Sequence, residues 1–195
     1  MAVISSPVMD DGEIVATVTA FRDITDLKQA ENKLREMSLH DELTGLYNRR
    51  GFLSLIEQYI KIAKRQNKTV FVLYADVDNL KAINDKFGHH EGDMALRESA
   101  IMLKETFRES DIIARVGGDE FAVISLEASQ ADMHRVVSRL EQNLELYNSG
   151  SNRNFILSMS WGISYLAPES LYSVEDMLSQ ADKAMYEHKK SKVKL

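Results

Sequence analysis

Apolar residues recur along this chain with two different periods, and each period predicts a different kind of element. Recurrence every three or four residues predicts helices. The predicted helices cover 49–66, a short segment after 79, 91–109, 130–147 and 174–190. Shorter apolar runs predict strands over 112–116, 121–126 and 155–165, the last interrupted by Gly162. The run Val70–Ala75 is apolar throughout, which is typical of a strand buried at the centre of a sheet.

The first 24 residues follow a separate pattern. Strand-like stretches at Ser5–Met9 and Glu13–Arg22 flank Asp10-Asp11-Gly12, which indicates a hairpin turn. Two strands cannot bury a core, so we expect the protein to continue upstream or the strands to pair with another copy. Residues 11–26 resemble the last hairpin of PAS sensor domains and its Asp-Ile-Thr exit. The resemblance implies a PAS-like fragment over 1–24 that retains no ligand pocket.

A helix with an apolar seam is predicted over Thr25–Leu39, between this hairpin and a domain covering 40–195. The seam residues stand at heptad a/d spacing: Leu27, Ala30, Leu34 and Met37. Such a helix either packs on its own domain or pairs with the same helix of a second copy. Because it connects two segments rather than lying within one, we favour a parallel dimer helix.

Composition narrows the classes of function. Of the 195 residues, 24 are basic and 30 acidic, which gives a net charge of −6. This balance argues against a nucleic-acid polymer as ligand, but not against a nucleotide. No apolar run approaches the roughly 20 residues of a membrane helix, so we expect no membrane contact by this segment. Without cysteine there are no disulfides or thiolate metal sites. No signal peptide is visible, so we expect a cytoplasmic location, although the full-length protein could be membrane-attached upstream.

Acidic residues follow two of the predicted strands. Asp76 ends the buried strand, while Asp119 and Glu120 follow two glycines, Gly117 and Gly118, at the tip of a predicted hairpin. Glycine has no Cβ, so a ligand can approach the backbone of this turn closely. If the two strands are neighbours, the carboxylates meet and offer the oxygen ligands that Mg²⁺ prefers. Taken singly, each acid is also compatible with a solvated turn.

Four motifs occur in a fixed order around these acids. They are Asp41-Glu-Leu-Thr-Gly-Leu-Tyr-Asn-Arg-Arg50, Asp76-Val-Asp-Asn-Leu-Lys-Ala-Ile-Asn-Asp85, Phe87-Gly-His-His-Glu-Gly-Asp93 and Arg115-Val-Gly-Gly-Asp-Glu-Phe121. Together with Ala181-Asp-Lys-Ala-Met-Tyr186, they resemble the successive signatures of GGDEF domains, the diguanylate cyclases, over about residues 38–192. The resemblance implies an α+β fold whose central, mostly antiparallel sheet is wrapped by helices, as in the palm of nucleotide polymerases and in class III nucleotide cyclases. It also implies condensation of two GTP into cyclic di-GMP with release of pyrophosphate.

The resemblance assigns metal-binding and catalytic roles to the acidic segments. The implied metal ligands are Asp76, the backbone carbonyl of Val77, and Asp119. Glu120 would assist at the metal or in activating the 3′-hydroxyl, so that Asp119 and Glu120 form the catalytic pair. Each active site would hold two Mg²⁺ ions, with Mn²⁺ as a possible substitute.

The resemblance also assigns contacts with GTP. Asn84 and Asp93 would hydrogen-bond the guanine edge, and Gly117 and Gly118 would lie along the phosphates. The implied phosphate cations are Lys81, Arg115 and Lys189. Asp41 is expected to pair with Arg115. Two alternatives stay open: Asn84 as a plain helix cap and Lys189 as part of a solvated basic tail.

A second nucleotide site is implied by Arg108-Glu-Ser-Asp111. In the family, Arg-x-x-Asp five residues before Gly-Gly forms the product-inhibition site, and Ile112–Val116 are those five residues here. An arginine can clamp phosphate and stack on guanine, while an aspartate accepts hydrogen bonds from the guanine edge. The alternative is an ordinary surface pair. Arg135 or Arg139 would complete the site, and cyclic di-GMP is therefore expected both as product and as inhibitor.

The chain departs from the family pattern near its end. After Tyr186 the family usually continues with Ala-Lys and then Gly-Arg-Asn, whereas here Glu187-His-Lys-Lys-Ser-Lys-Val-Lys follows. The arginine expected to contact phosphate is therefore missing or replaced by Lys192. The adjacent His89 and His90 are predicted to pack in a loop rather than to ligate a transition metal.

A functional hypothesis follows from these motifs. Each domain would bind one GTP, so two domains must face each other and the active form would be a homodimer. An upstream sensor would act through the linker helix to align the two sites. One alternative is a degenerate module that binds GTP or cyclic di-GMP without turnover, which the intact acids argue against. Two others are a cyclase that accepts ATP or makes mixed dinucleotides, and a dimerisation piece of a larger signalling protein.

Overall fold

The residues at the start of the chain form an antiparallel hairpin. Its strands are β1 (Ala2–Asp10) and β2 (Glu13–Arg22), and the turn includes Gly12 at a φ of +87°, which suits glycine. The hairpin lies in the first of two compact units into which the chain divides, Met1–Ser38 and Leu39–Leu195. The computed structural model describes residues 2–10, 12–25, 39–127, 130–150, 153–170 and 173–192. The linker helix predicted over Thr25–Leu39 lies outside the described residues apart from Thr25 and Leu39 themselves, and the PAS-like assignment stays a prediction.

The apolar run of the second unit forms β4 (Thr69–Val77), which pairs on both sides. It is antiparallel to β6 (Glu120–Glu127) on one side and to β7 (Met159–Leu166) on the other. Beyond β6 lie β5 (Ile112–Arg115), again antiparallel, and the two-residue β3 (Tyr47–Asn48), which is parallel to β5. The sheet order is β3-β5-β6-β4-β7. The predicted α+β fold with a mostly antiparallel sheet is therefore confirmed, while β3 is too short for its pattern to have been recognised.

Helices form where the apolar period predicts them, with ends shifted by a few residues. They are α1 (Arg49–Gln66), α2 (Leu80–Phe87), α3 (His89–Thr106), α4 (Gln130–Gly150) and α5 (Val174–Lys192). Ser173 caps α5, because its hydroxyl accepts from the Asp176 amide at 3.1 Å and the Asp176 carboxylate accepts from the Ser173 amide at 3.0 Å. Among the described helices, none has both the length and the apolar character needed to cross a membrane.

Alternation along β4 divides the core into two layers. Val72 packs in a cluster with α1 and α5, whereas Leu73 packs in a cluster with α3 and α4. Successive side chains of a strand point to opposite faces of the sheet. Asp76 is four residues after Val72, so its side chain points to the same face of the sheet as Val72. The carboxylate therefore lies on the face covered by α5.

The last strand differs from its prediction. We expected it to begin at Phe155 and to break at Gly162, but β7 begins at Met159 and runs through Gly162 without a break. The start is late because the Asn148 side chain bonds both backbone groups of Leu157, at 2.8 Å each, in place of a neighbouring strand. Gly162 instead allows close helix packing, since a Cβ there would lie 2.1 Å from the backbone nitrogen of Met185 in α5.

Candidate nucleotide-binding site

The two acidic segments meet at the end of β4. Asp76 is directly opposite Glu120 in the β4–β6 ladder, and the Val77 amide donates to the Asp119 carbonyl at 2.9 Å. We had expected Glu120 to be part of the turn, but it is the first residue of β6. The ladder therefore fixes the spacing of the acids through backbone hydrogen bonds. The predicted metal and catalytic residues lie side by side on neighbouring strands.

Burial and neighbouring charges raise the pKa values of two of these carboxylates, Asp76 and Glu120. Burial is the largest effect on Asp76 and raises its pKa above the ordinary value, although the hydrogen bond and charge of Lys189 lower it; the charges of Asp119 and Asp78 add to the rise. Burial likewise raises the pKa of Glu120, with further contributions from Asp119, Asp76 and Asp182. Among the described residues, no three side chains of histidine, aspartate or glutamate converge as a complete metal site. The implied set includes the main-chain carbonyl of Val77, and crowded oxygen donors fit a hard divalent cation.

A lysine from α5 reaches this acidic end of the sheet. Lys189 Nζ lies 2.6 Å from Asp76 Oδ1, and 38% of the lysine side chain is exposed. Burial lowers the pKa of Lys189, but the hydrogen bond and charge of Asp76, together with the charges of Asp119 and Asp78, outweigh that effect and raise it. Lys189 is therefore held at the site and is not part of a solvated tail. Its predicted contact with phosphate stays a prediction.

A cavity of about 530 Å³ beside the acids gathers most of the predicted GTP contacts. The predicted residues among its lining are Lys81, Asn84, Asp93, Arg115, Gly118 and Asp119. Asp76, Glu120, Gly117 and Lys189 are not part of this lining and lie along the β4–β6 edge instead. The cavity thus joins the predicted base-binding residues to Asp119, which the backbone links to β4.

Asn84 depends on a glycine of the neighbouring helix for its position. A Cβ on Gly92 would lie 1.9 Å from Asn84 Oδ1, so no larger residue fits beside this amide as it stands. Gly92 precedes Asp93 near the start of α3, and both line the same cavity. His89 also lines the cavity, and His89 and His90 begin α3 rather than packing in a loop as predicted.

Arg115 connects the glycine turn to the first residues of the unit. Its Nη1 lies 3.2 Å from both carboxylate oxygens of Asp41, and its Nη2 and Nε lie 2.7 and 3.2 Å from the Gly118 carbonyl. The predicted Asp41–Arg115 pair is therefore confirmed. Burial alone would raise the pKa of Asp41, but hydrogen bonds from Thr44 and the charge of Arg115 lower it. The guanidinium group holds the turn from within the protein.

Asp78 has a structural environment that the sequence did not indicate. The carboxylate is buried and accepts from Ser158 Oγ at 2.6 Å, Ser160 Oγ at 2.7 Å and Lys192 Nζ at 3.0 Å. Burial raises its pKa, yet these hydrogen bonds together leave the pKa below its ordinary value. Asp78 is thus neither solvated nor a helix cap. It ties β4 to β7 and to α5.

The predicted inhibitory motif lines a separate cavity of about 370 Å³. Arg108 and Asp111 form part of its wall together with Lys104 and Tyr47. Of the two arginines considered, Arg139 donates to the Thr106 carbonyl at the end of α3, close in sequence to Arg108. Arg135 instead pairs with Asp132 at 3.3 Å. The structure therefore brings Arg139, rather than Arg135, towards the end of α3.

Comparison with known proteins agrees with the resemblance to GGDEF domains that the sequence motifs indicated for residues 39–195. Residues 38–194 match the sequence profile of the family described as "Diguanylate cyclase, GGDEF domain". "Diguanylate cyclase DgcP" of Escherichia coli is 34% identical over 172 residues, which cover 88% of this chain and 50% of that protein. "Cyclic di-GMP phosphodiesterase PdeR" of Escherichia coli is 35% identical over 164 residues, covering 84% of this chain and 24% of that protein. The chain thus spans half or less of these relatives.

A solved structure is also similar to this chain. The GGDEF domain of TpbB, also called YfiN, from Pseudomonas aeruginosa superposes with a TM-score of 0.70 at 35% identity, and the match covers 78% of this chain and 89% of that one. The family profile covers most of the sequence and the fold agrees with this domain. With its ordered motifs around one sheet edge, the chain therefore belongs to the GGDEF family of diguanylate cyclase domains.

Proposed function

We propose that this chain is an active diguanylate cyclase, which condenses two GTP into cyclic di-GMP and two pyrophosphates. One observation carries the proposal: the Asp76–Glu120 pair of the sheet lies next to Asp119, which lines the same cavity as Asn84 and Asp93. Residues suited to hold a metal and residues suited to read a guanine are thus adjacent. Loss of either half would have argued for a binding module.

The base-reading residues favour guanine. A carboxylate at Asp93 accepts hydrogen bonds from the N1–H and 2-amino groups of guanine, and adenine presents no such pair of donors. The Asn84 amide can pair with the rest of the guanine edge. A site built to satisfy such hydrogen bonds rejects a base that lacks them, because buried polar groups would be left unpaired. This argues for GTP over ATP.

The chemical step forms one phosphodiester bond for each GTP. A 3′-hydroxyl attacks the α-phosphorus of the other GTP, the α–β anhydride bond breaks, pyrophosphate leaves, and the hydroxyl proton passes to a base. Burial and neighbouring charges raise the pKa of Glu120, which suits it to accept or relay that proton. Two divalent cations, held by Asp76, the Val77 carbonyl, Asp119 and Glu120, would activate the hydroxyl and neutralise the leaving group. Lys81, Arg115 and Lys189 would add positive charge along the phosphates, with Gly117 and Gly118 giving the chain close access.

One domain holds only half of this reaction. Each GTP needs a second GTP on a facing domain, so the proposal includes a homodimer in which orientation controls the rate. The dimer helix predicted over Thr25–Leu39 would set that orientation. Under this proposal, turnover per molecule depends on protein concentration.

A turnover assay across protein concentration tests the proposal. The chain is incubated with GTP and Mg²⁺, and cyclic di-GMP is separated by chromatography. The rate per molecule is expected to rise with protein concentration. The double variant Asp119→Ala/Glu120→Ala should fold normally and make no product, whereas Glu141→Ala/Glu145→Ala, which removes two exposed acids of α4, should match the unmodified chain. Full turnover by the first variant would refute the metal assignment.

A second candidate is a degenerate module that binds GTP or cyclic di-GMP without turnover. The observation in its favour is that relatives of this chain include a protein named as a phosphodiesterase. The same assay separates the candidates, because a sensing module binds a non-hydrolysable GTP analogue or cyclic di-GMP and forms no product at any protein concentration.

Feedback inhibition belongs to the same proposal. Arg108 and Asp111 would bind cyclic di-GMP at the 370 Å³ cavity, with Arg139 as the further arginine. The Asp111 carboxylate already accepts the Arg108 amide at 2.9 Å, which holds the turn in shape. Arg108→Ala should therefore raise the cyclic di-GMP concentration needed for half-inhibition while leaving the initial rate unchanged.

A further inference from the structure

The last turn of α5 is attached to the start of β7 by side chains that the proposed reaction does not use. His188 lies edge-on to Trp161, with ring centroids 4.7 Å apart and an interplanar angle of 72°. His188 Nδ1 is 3.1 Å from both the amide nitrogen and the carbonyl oxygen of Trp161, so either ring tautomer makes a hydrogen bond. The Ser191 hydroxyl donates to the His188 carbonyl at 2.7 Å and closes the turn.

Lys192 makes a second attachment at the same place. Its Nζ lies 2.6 Å from the Met159 carbonyl, 3.0 Å from Asp78 Oδ2 and 3.3 Å from Ser158 Oγ. It also stands 5.1 Å from the centroid of the Trp161 ring, within the range of a cation–π contact. An ammonium group has three N–H donors, and three oxygen acceptors already engage them. Lys192 therefore has no donor left for a phosphate.

Lys189 lies between these two attachments on the same helix. It follows His188 by one residue and precedes Lys192 by three, and its Nζ reaches Asp76 Oδ1 at 2.6 Å. Both attached residues belong to the stretch in which the chain departs from the family pattern. Removing either attachment would release the helical turn that carries Lys189.

We propose that Trp161, His188 and Lys192 form a latch, called here the α5 latch, that positions Lys189 on Asp76. Lys192 is thus a positioning residue and does not replace the missing phosphate-binding arginine. The effect of the latch on GTP binding rests on the proposed function, whereas the latch itself does not. The position of Lys189 then depends on residues of β7 and β4 that are remote from it in sequence.

The chain carries its own reporter of this latch. Trp161 is the only tryptophan among the 195 residues, so the intrinsic tryptophan emission comes from the latch alone. The contacts with His188 and Lys192 partly cover its ring. Release of the turn is expected to shift the emission to longer wavelength, because the indole becomes more exposed to water.

The test compares Lys192→Met with Lys190→Met in the full chain. Lys190 is exposed and stands 4.2 Å from the centroid of the Tyr186 ring, so its replacement removes one charge from the same turn without touching the latch. Two readouts need no nucleotide: the tryptophan emission, and the rate at which an amine-reactive acylating reagent modifies Lys189, followed by peptide mass spectrometry. A third compares the affinity for a non-hydrolysable GTP analogue with the affinity for GMP.

Lys192→Met is expected to change all three readouts. The emission should shift, Lys189 should be acylated several-fold faster, and affinity for the GTP analogue should fall about tenfold, the loss of roughly one charge-assisted contact. GMP affinity should stay unchanged if the proposed contact of Lys189 is with the β- or γ-phosphate, both of which GMP lacks. Lys190→Met should match the unmodified chain in emission, Lys189 acylation and both affinities.

Other outcomes overturn the proposal. Unchanged emission and acylation would show that there is no latch, and weaker analogue binding with unchanged emission would show that Lys192 contacts phosphate directly. Should Lys192→Met fail to fold with Asp78 unpaired, Asp78→Asn/Lys192→Met removes the stranded charge and should show the same shifted emission and faster acylation. If the unmodified chain does not bind the analogue, the proposed function fails, while emission and acylation still decide the latch.

Discussion

The acidic end of β4 is held from two sides, and the two sides are built differently. On the β6 side, one arginine spans the turn, with Arg115 bonded to Asp41 and to the Gly118 carbonyl. On the β7 side, the support is distributed over several ordinary contacts, in which Lys192 bonds Asp78 and Met159 while His188 contacts Trp161. The first side follows a motif of the family and the second does not.

The difference teaches where rigidity and adaptability lie in this site. A single guanidinium group that bonds both a carboxylate and a backbone carbonyl fixes a turn with few residues, because its donors lie in one rigid plane. The β7 side instead relies on close backbone packing of α5 on the sheet, to which lysine and histidine side chains are added. We therefore expect the β7 side to be sensitive to volume and the β6 side to be sensitive to charge.

Gly162→Ala is expected to have the largest effect, and it breaks the β7 side. The new Cβ would lie 2.1 Å from the Met185 nitrogen and 2.2 Å from the Ala181 carbonyl oxygen, both of them helix backbone that cannot rotate away. Overpacking of this kind should cost about 3 kcal/mol in the free energy of unfolding, measured by urea denaturation.

The matched control is Gly118→Ala on the β6 side. A Cβ at Gly118 meets nothing within 4 Å, and Gly118 is not among the glycines with positive φ. Its stability should change by less than about 0.5 kcal/mol. Equal losses in the two variants would contradict the idea that only the β7 side depends on close packing.

Arg115→Met is expected to have the next largest effect, and it breaks the β6 side. Asp41 would lose its charged partner and the Gly118 carbonyl would lose two donors, in a pair whose side chains are only 14% and 22% exposed. We expect a loss of about 2 kcal/mol in unfolding free energy. Lys61→Met, at an exposed position of α1, is the control for removing one charge and should change stability little.

The same variant decides between two roles for Arg115. If Arg115 acts mainly as a tie, Asp41→Asn/Arg115→Met should be hardly less stable than Arg115→Met alone, because the pair acts as a unit. If instead GTP turnover falls while stability stays unchanged, Arg115 serves mainly as a phosphate cation and the tie is unimportant.

The β6 side and the β7 side also differ in how far the sequence alone predicts them. The β6 side was predictable because Asp41, Arg115 and the glycine turn each stand within a motif. Asp76 follows one apolar run and Glu120 precedes another, and the structure pairs these two runs as neighbouring strands. The β7 side was not, since Asp78 and Lys192 are far apart in sequence and of common residue types. Gly162 carried a usable signal, but we predicted a broken strand where the glycine makes room for a helix.

Gly92→Ala should have a smaller effect on stability than the variants above. It leaves both the β6 side and the β7 side of β4 intact and so serves as a reference for both. Its Cβ would lie 1.9 Å from Asn84 Oδ1, which belongs to a side chain that can turn away, so the fold should survive. Turning the amide away would remove the proposed contact of Asn84 with guanine, so affinity for a GTP analogue should fall about tenfold, which corresponds to the loss of about one hydrogen bond. Isothermal titration with GTP and ATP analogues measures it, and Ala82→Ser on the exposed side of α2 is the control. An unchanged preference for guanine would contradict the role assigned to Asn84.

The smallest effect concerns pH and tests the charge on the β6 side directly. Hydrogen bonds from Thr44 and the charge of Arg115 lower the pKa of Asp41 in the folded protein, so the ionised carboxylate adds stability at pH values above the ordinary value of 3.8 and loses that stability as pH falls through the lowered pKa. Since the Asp41 side chain is 22% exposed and partly screened, the contribution should be about 1 kcal/mol. Urea unfolding of the unmodified chain and of Asp41→Asn should therefore differ by that amount near neutral pH and converge in acid. Titration of other acids occurs in both proteins and cancels in the comparison. A difference that stays constant down to about pH 3 would show that folding does not favour the ionised form of Asp41, which would contradict the roles assigned to its contacts with Thr44 and Arg115.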